Sequence, residues 1–435
     1  MNNTSLPNPN RLLIATVGGA TEPIIASLLH WRPARAVFIV TPQTRDAVIR
    51  NILPKVCDAG WPDFDAGRYD LHEIADHQDY SGIVNQLRPL DDRVAAWQHD
   101  HSGAEVIADL TGGTKAMSAA LTLAAGRWSS RISYVGGNER TKDGVGIVVS
   151  GKEQILHAQN PADALGLLAL DTSIELLRTH AFAAAHTTLQ QALHRVTDPA
   201  RKAELSAVTN LAEALADWDR FQHEKALNKF RDLAKHTHNL EAALGCSRAQ
   251  VILVATAKIQ THLQAVLGAG SHQPSRALIL DLLANARRRM DEHRWDDATA
   301  RLYRAIEATA QFHLANAGVS DTARVPLEKI PEPLYSKVFL HAKNGFVKLG
   351  LQEAWILLKA LSSADAHPFF AAGLDTKEDP NESKSPLVAR NLSILAHGFI
   401  PVRDAVANRL FTDALSLVPT NEADLPSVPI FNLNH

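Results

Sequence analysis

Near the end of this chain, the stretch Pro386-Leu-Val-Ala-Arg-Asn-Leu-Ser-Ile-Leu-Ala-His-Gly398 sets Arg390 and His397 seven residues apart, with Asn391 beside the arginine. On a helix seven residues is close to two turns, so the spacing predicts that both side chains share one face. A permanent cation next to a group that titrates near neutral pH suits phosphodiester chemistry. The histidine can move a proton, and the arginine can stabilise a crowded anionic phosphorus centre. A different signal lies more than two hundred residues earlier, in Asp109-Leu-Thr-Gly-Gly-Thr-Lys-Ala-Met117. There the chemistry on offer is anion binding. Gly112 and Gly113 let a backbone turn sharply against a ligand, Thr114 can cap a helix, and Lys115 adds a full charge at its positive end.

The elements that must position these residues follow from periodicity. Leu12–Val17, Ala36–Val40, Tyr69–Ile74 and Glu105–Asp109 read as strands. They alternate with helices over Glu22–Trp31, Gln43–Cys57, Tyr80–His99 and Lys115–Gly126, and Ile132–Val135 with Val145–Val149 reads as a closing hairpin. Alternating strand and helix predicts a parallel sheet covered on both faces. Gly18-Gly-Ala-Thr21 then follows the first strand as Thr111–Lys115 follows the fourth. Two such loops at carboxyl strand ends are what a ligand crevice in a doubly wound sheet requires. The loop at 109–117 is neither a Walker A loop nor a G-x-G-x-x-G fingerprint, since Ala116 follows the lysine and the glycine spacing is wrong. On spacing alone, a tight strand-to-helix turn with no ligand explains it equally well.

Beyond about residue 160 the strand-like runs stop and helical periodicity takes over. Ile174–Val196 and Phe221–His236 look like paired helices, without the 34-residue period of a repeat array. Gly268–Pro274 reads as a boundary, and Ala277–Ala317 as two long helices broken near His293. Within them Arg301–Glu307 reads as a packed helix with solvated charges. A polar stretch from Asp375 leads into the Arg390 helix, with Pro386 in its first turn and Pro401 at its end. The tail past Val418 is expected to lack regular structure. The 435 residues therefore divide as 1–158, 159–270, 271–420 and a tail at 421–435.

Composition bounds the function classes. A 46% hydrophobic fraction suits a soluble globular protein, and a net charge of −3 gives no global nucleic-acid signal. Cys57 and Cys246 lack disulfide or metal-ligand spacing, which with the absence of a signal-peptide pattern points to the cytoplasm. No run of about 18 apolar residues is present, so no membrane contact is expected.

With those residues in view, the first 150 residues resemble the CARF domain of CRISPR-associated proteins, and Arg390–His397 fits the R-x(4–6)-H pattern of HEPN ribonucleases. The order of regions is similar to the CARF–HEPN, Csm6/Csx1-like group. The resemblance implies a Rossmann-like N-terminal domain, a helical linker and a C-terminal helical HEPN domain. It implies a homodimer, with cyclic oligoadenylate as allosteric activator held by Thr111, Gly112, Gly113, Thr114 and Lys115 on one wall and Gly18, Gly19, Ala20 and Thr21 on the other. It implies that Arg390, Asn391 and His397 cleave single-stranded RNA by attack of the 2′-hydroxyl, with neither metal nor cofactor, in type III CRISPR defence.

Other readings stay open. With 20 histidines in the chain the Arg–His spacing recurs, at Arg93/His99 and at Arg231 with His236 or His238. The helical half could be a degenerate scaffold in a non-catalytic sensor. The N-terminal domain could degrade its own activator, with Thr111 and Thr114 taking part. A nucleotide-dependent transferase or dehydrogenase is disfavoured by the missing phosphate fingerprints.

Overall fold

The computed structural model describes residues 8–62, 64–65, 67–137, 154–268, 270, 274–334, 345–375, 386–418 and 420–427. The chain divides into two compact units, one of Met1–Leu168 with His194–Lys202, the other of Ala169–Leu193 with Ala203–His435.

The first unit is built on a six-stranded sheet: β1 (Asn8–Thr16), β2 (Pro33–Val40), β3 (Tyr69–Glu73), β4 (Glu105–Asp109), β5 (Ser130–Gly136) and β6 (Gln154–Gln159). Their order is β3-β2-β1-β4-β5-β6. The first five pair in parallel and β6 runs antiparallel to β5. The expected α/β half is therefore present. Alternation along β1 explains why both faces need helices. Leu12 and Ile14 pack with Val106, Ala108 and Met117 on one side, while Leu13, Ala15 and Val17 pack with Phe38 and Leu28 on the other. The helices that cover them are α1 (Glu22–Trp31), α2 (Leu53–Asp58), α3 (Tyr80–Gln86), α4 (Pro89–Asp100) and α5 (Lys115–Ala125).

Three expectations need revising here. The single helix over Tyr80–His99 is two, because Pro89 has no N–H to offer the carbonyl of Asn85, and Arg88 turns back to that carbonyl instead. The helix over Gln43–Cys57 begins as a short α-turn (Arg45–Ala47), passes through a π-turn (Val48–Ile52) and recovers as α2, where Pro54 again withholds a donor. The strand opposite β5 is β6, whereas Val145–Val149 lies outside the described residues.

The second unit is helical. Its helices are α6 (Leu167–Arg178), α7 (Phe182–Leu193), α8 (Pro199–Asp219), α9 (His223–Leu233), α10 (Thr237–Leu244), α11 (Cys246–Gly268), α12 (Arg276–Asp291), α13 (Trp295–Asn316), α14 (Leu351–Leu361), α15 (Ser363–Ala371), α16 (Pro386–Asn391) and α17 (Asp404–Ser416). The anticipated break falls at His293 (φ 57°) between α12 and α13, and His180 (φ 62°), with the same left-handed backbone, separates α6 from α7. Helix α11 is long and apolar enough by length and composition to cross a membrane. Ile252, Ile259 and Leu263 of this helix are nonetheless buried, and His262 reaches an acid on α12. The tail carries one 3-10 turn at Glu422–Asp424, and residues 428–435 and most of the polar stretch 375–386 lie outside the described residues.

That acid, Asp281, is fully buried. It accepts from Trp218 Nε1 at 2.7 Å and lies 2.8 Å from His223 Nε2 and 3.3 Å from His262 Nε2, so α8, α9, α11 and α12 meet on one carboxylate. Burial alone would raise its pKa, but the contacts to His223 and His262 and the charge of Arg288 outweigh it and hold the group well below the usual carboxylate range. A depressed folded-state value stabilises the fold above the unfolded value of about 3.9 and is lost as pH falls below it. Asp281→Asn is accordingly expected to destabilise the unit by roughly 3 kcal/mol or more at pH 7, and the gap from wild type to narrow below about pH 4. Guanidinium unfolding at pH 7 and pH 3 measures both.

Candidate functional site

In the first unit, the loops after β1 and β4 leave the sheet at neighbouring strands from which the chain winds in opposite directions, the switch point where open α/β sheets bind ligands. The predicted residues meet there. Thr16 Oγ1 donates to the Gly112 carbonyl at 2.6 Å, tying the end of β1 to the second loop. A Cβ on Gly112 would stand 2.0 Å from the Thr16 carbonyl oxygen, and one on Gly18 would stand 2.7 Å from the Gly113 nitrogen. Both glycines therefore exist for backbone-on-backbone contact. Gly113 adopts φ 75°, where a side chain is strained.

Thr114 caps α5, accepting from the Met117 amide at 3.2 Å and donating to the His77 carbonyl at 2.7 Å. The Thr111 hydroxyl accepts from the Val135 amide at 2.7 Å, and Thr21 is buried. Gly19, Ala20 and Lys115 remain exposed. The nine residues thus split in role: Thr16 contact, capping and turn formation shape the crevice, while Lys115 sits as an exposed charge at the amino end of an 11-residue helix.

Beneath the loop lies a residue whose role the sequence did not reveal. Asp109 is fully buried. Its Oδ1 accepts from the Thr111 amide at 2.9 Å, and its Oδ2 accepts from Ser27 Oγ at 2.5 Å and Ser133 Oγ at 3.0 Å. Trp31 Nε1 donates to the same Ser133 oxygen at 3.1 Å. An acid at the end of a buried strand was the available signal; its serine partners, 82 and 24 residues away, were not legible.

The second candidate site lies in the helical unit, and here a prediction fails. Arg390 and His397 do not share a helix face, because α16 ends at Asn391. The Ser393 amide tightens onto the Arg390 carbonyl at 3.0 Å, and the chain folds back. The His397 amide then meets the Asn391 carbonyl at 3.1 Å, and the Ile400 amide meets that of Leu392 at 3.1 Å. Gly398 permits the return, since a Cβ there would stand 2.1 Å from the Leu392 oxygen. The seven-residue interval is closed by a fold-back that returns His397 to the end of the helix carrying Arg390. His397 and Asn391 are exposed and Arg390 is half-buried. Around them Ile394, Leu395, Phe399 and Ile400 are all exposed, Phe399 at 91%.

Arg390 Nη1 donates to Asn391 Oδ1 at 3.1 Å, and its guanidinium carbon stands 4.1 Å from the centre of the Tyr303 ring on α13. Burial, with the charge of Glu307, raises the Tyr303 pKa against the opposing effect of Arg390, so the phenol stays neutral. The expectation that Arg301–Glu307 carries only solvated charges needs correcting. Arg301 is partly buried between Asp297 and Asn285, and burial lowers its pKa. The other Arg–His spacings lie on exposed helix surfaces. Arg93 pairs with Asp70 and His99 with Asp100, while Arg231 closes α9 and His236 precedes α10.

Comparison with known proteins adds the following. Residues 269–419 match the family model described as the Csm6 HEPN domain. Among solved structures, Enterococcus italicus Csm6 bound to cyclic hexa-2′-fluoro-hexa-dAMP is similar at 11% identity, covering 96% of each chain with a TM-score of 0.47. A type III CRISPR defence DNA nuclease activated by cyclic oligoadenylate is similar at 20% identity over 49% of this chain and 35% of that one, with a TM-score of 0.24. No curated protein matches.

The packing of the crevice yields a contrast. Gly112→Ala must push the Thr16 backbone aside and is expected to destabilise the first unit by about 1–3 kcal/mol. Gly19→Ala meets nothing within 4 Å and is expected to leave stability unchanged. Thermal melts of the two variants, with hydrogen exchange to locate the loss, check this.

Proposed function

We propose that the chain, whose residues 269–419 match the Csm6 HEPN domain model, is a CARF–HEPN endoribonuclease activated by cyclic oligoadenylate and cutting single-stranded RNA without a metal ion. The observation that carries this reading is the Arg390–His397 pair inside the matched region, returned to one helix end by the fold-back at Gly398. In the reaction, a base takes the proton of a 2′-hydroxyl as its oxygen bonds to the adjacent phosphorus. The bond from phosphorus to the 5′ oxygen breaks, and that oxygen leaves as a hydroxyl once protonated. The products are a 2′,3′-cyclic phosphate and a free 5′ end. His397 supplies the proton transfer, and Arg390, steered by Asn391, stabilises the charge that builds on the phosphorus oxygens.

One protomer offers one such histidine, and the exposed apolar residues around it suit a second copy, which supports a homodimer with a composite site. In this reading residues 1–158 sense the activator, 159–270 link, and 271–420 cut. The exposed Lys115 at the amino end of α5, with the loops that carry Gly18–Thr21 and Thr111–Thr114, takes the phosphates of the activator in the cytoplasm of a type III CRISPR host. Activation then requires that cyclic oligoadenylate bind the cutting-competent arrangement more tightly than the resting one.

The test uses the full chain with fluorescent single-stranded RNA, with and without cyclic tetra- or hexa-adenylate, in EDTA. Cleavage that appears with one ring size and survives EDTA is expected. His397→Ala should lose at least about 100-fold in cleavage while still binding activator; undiminished cleavage would remove His397 from the site. Lys115→Ala should lose activation with its melting temperature intact, and full activation in that variant would remove the sensor assignment. A protein that binds activator but never cuts RNA would instead be a non-catalytic sensor.

A further inference from the structure

Six arginines on or between α12 and α13 pair with acids. Arg288 and Arg289 share Asp219, Arg287 meets Asp291 and Glu422, Arg294 and Arg301 meet Asp297, and Arg304 meets Glu307. Arg390 differs. Among the described residues no carboxylate pairs with it. It is held by a neutral amide, Asn391 Oδ1 at 3.1 Å, and by the face of Tyr303 at 4.1 Å, while its Nε is covered and meets no acceptor.

An aromatic face attracts a guanidinium without cancelling its charge. A carboxylate in the same place would hold the group equally well and would compete with a phosphate for it. The ring is itself fixed. Tyr303 is partly buried against the core formed by α12, α13, α14 and α17, on a 22-residue helix that runs beneath α16. We infer that Tyr303 is a positioning residue of the ribonuclease half-site, whose ring seats Arg390 with its charge left free for the scissile phosphate. This rests on the proposed role of Arg390, and the experiment below separates the two.

Single-turnover RNA cleavage by the activated full-length protein is measured for Tyr303→Leu, Tyr303→Phe and Arg390→Ala, with thermal melts of each. Tyr303→Leu is expected to lose roughly 3- to 30-fold in the cleavage rate, the range one cation–π contact supplies, with little change in the RNA concentration at half-saturation. Tyr303→Phe, which keeps the ring, should restore most of that rate. Should Tyr303→Leu melt below the assay temperature, Tyr303→Met fills the same space without a π face and takes its place. A leucine or methionine variant with wild-type rate overturns the inference. So does a Tyr303→Phe variant as slow as Tyr303→Leu, because the hydroxyl rather than the ring would then be at work. Arg390→Ala separates the levels: wild-type cleavage there overturns the half-site reading and the role of Tyr303 with it, whereas a dead Arg390→Ala beside an unimpaired Tyr303→Leu overturns the role of Tyr303 alone.

Discussion

A carboxylate shut away from water must find its partners inside the fold, and in this chain that requirement falls on Asp109 in one unit and Asp281 in the other. Each solves it by drawing in separate elements. Asp109 gathers a serine from α1, a serine from β5 and the Thr111 amide of its own loop. Asp281 gathers an indole and two imidazoles from three helices around its own. The solutions differ in electrostatics. The donors to Asp109 are neutral hydroxyls and an amide, whereas Asp281 meets an indole, two imidazoles and the nearby charge of Arg288. In both, the positions of several elements are set by one group that cannot be left unsatisfied.

The same logic of close approach governs the crevice. Thr16 reaches the Gly112 carbonyl because neither Gly112 nor Gly18 carries a Cβ, and β1 and β4 can then bring their exit loops together. Once Asp109 has fixed the Thr111 amide and Val135 has engaged the Thr111 hydroxyl, the loop has little freedom left before α5 begins. Lys115 is thus the first residue of that stretch free to face solvent, and its place at the helix start is a consequence of everything packed beneath it.

What could be read from the sequence was what obeys local rules. The buried runs of β1, β2 and β4 are continuous apolar segments, and Thr114 precedes α5 as a cap should, so the sheet and the loops at its switch point were legible. Proline set the helix errors in the first unit. Pro54 and Pro89 each sit inside a convincing helical period, and periodicity does not register the missing N–H. Asp281 was illegible for another reason: its partners lie 63 and 58 residues earlier, at Trp218 and His223, and only the packed helices bring them together.

The Arg390–His397 interval shows how a spacing that fits a helix can be closed by another geometry. Seven residues fit two helical turns, but Pro386 opens a helix of only six residues, and the chain reverses within the interval. A helix would have fixed the two side chains about 10 Å apart along its axis. The fold-back instead returns the histidine backbone to the carboxyl end of α16, beside the residue that follows Arg390, and leaves it on an exposed turn flanked by apolar side chains. The arginine side of the pair is anchored by a partly buried ring, while the histidine side is carried by a loop. The asymmetry fits the roles proposed for the pair: a cation that stabilises developing charge gains from being held in one place, whereas a group that passes a proton needs access to both substrate and water.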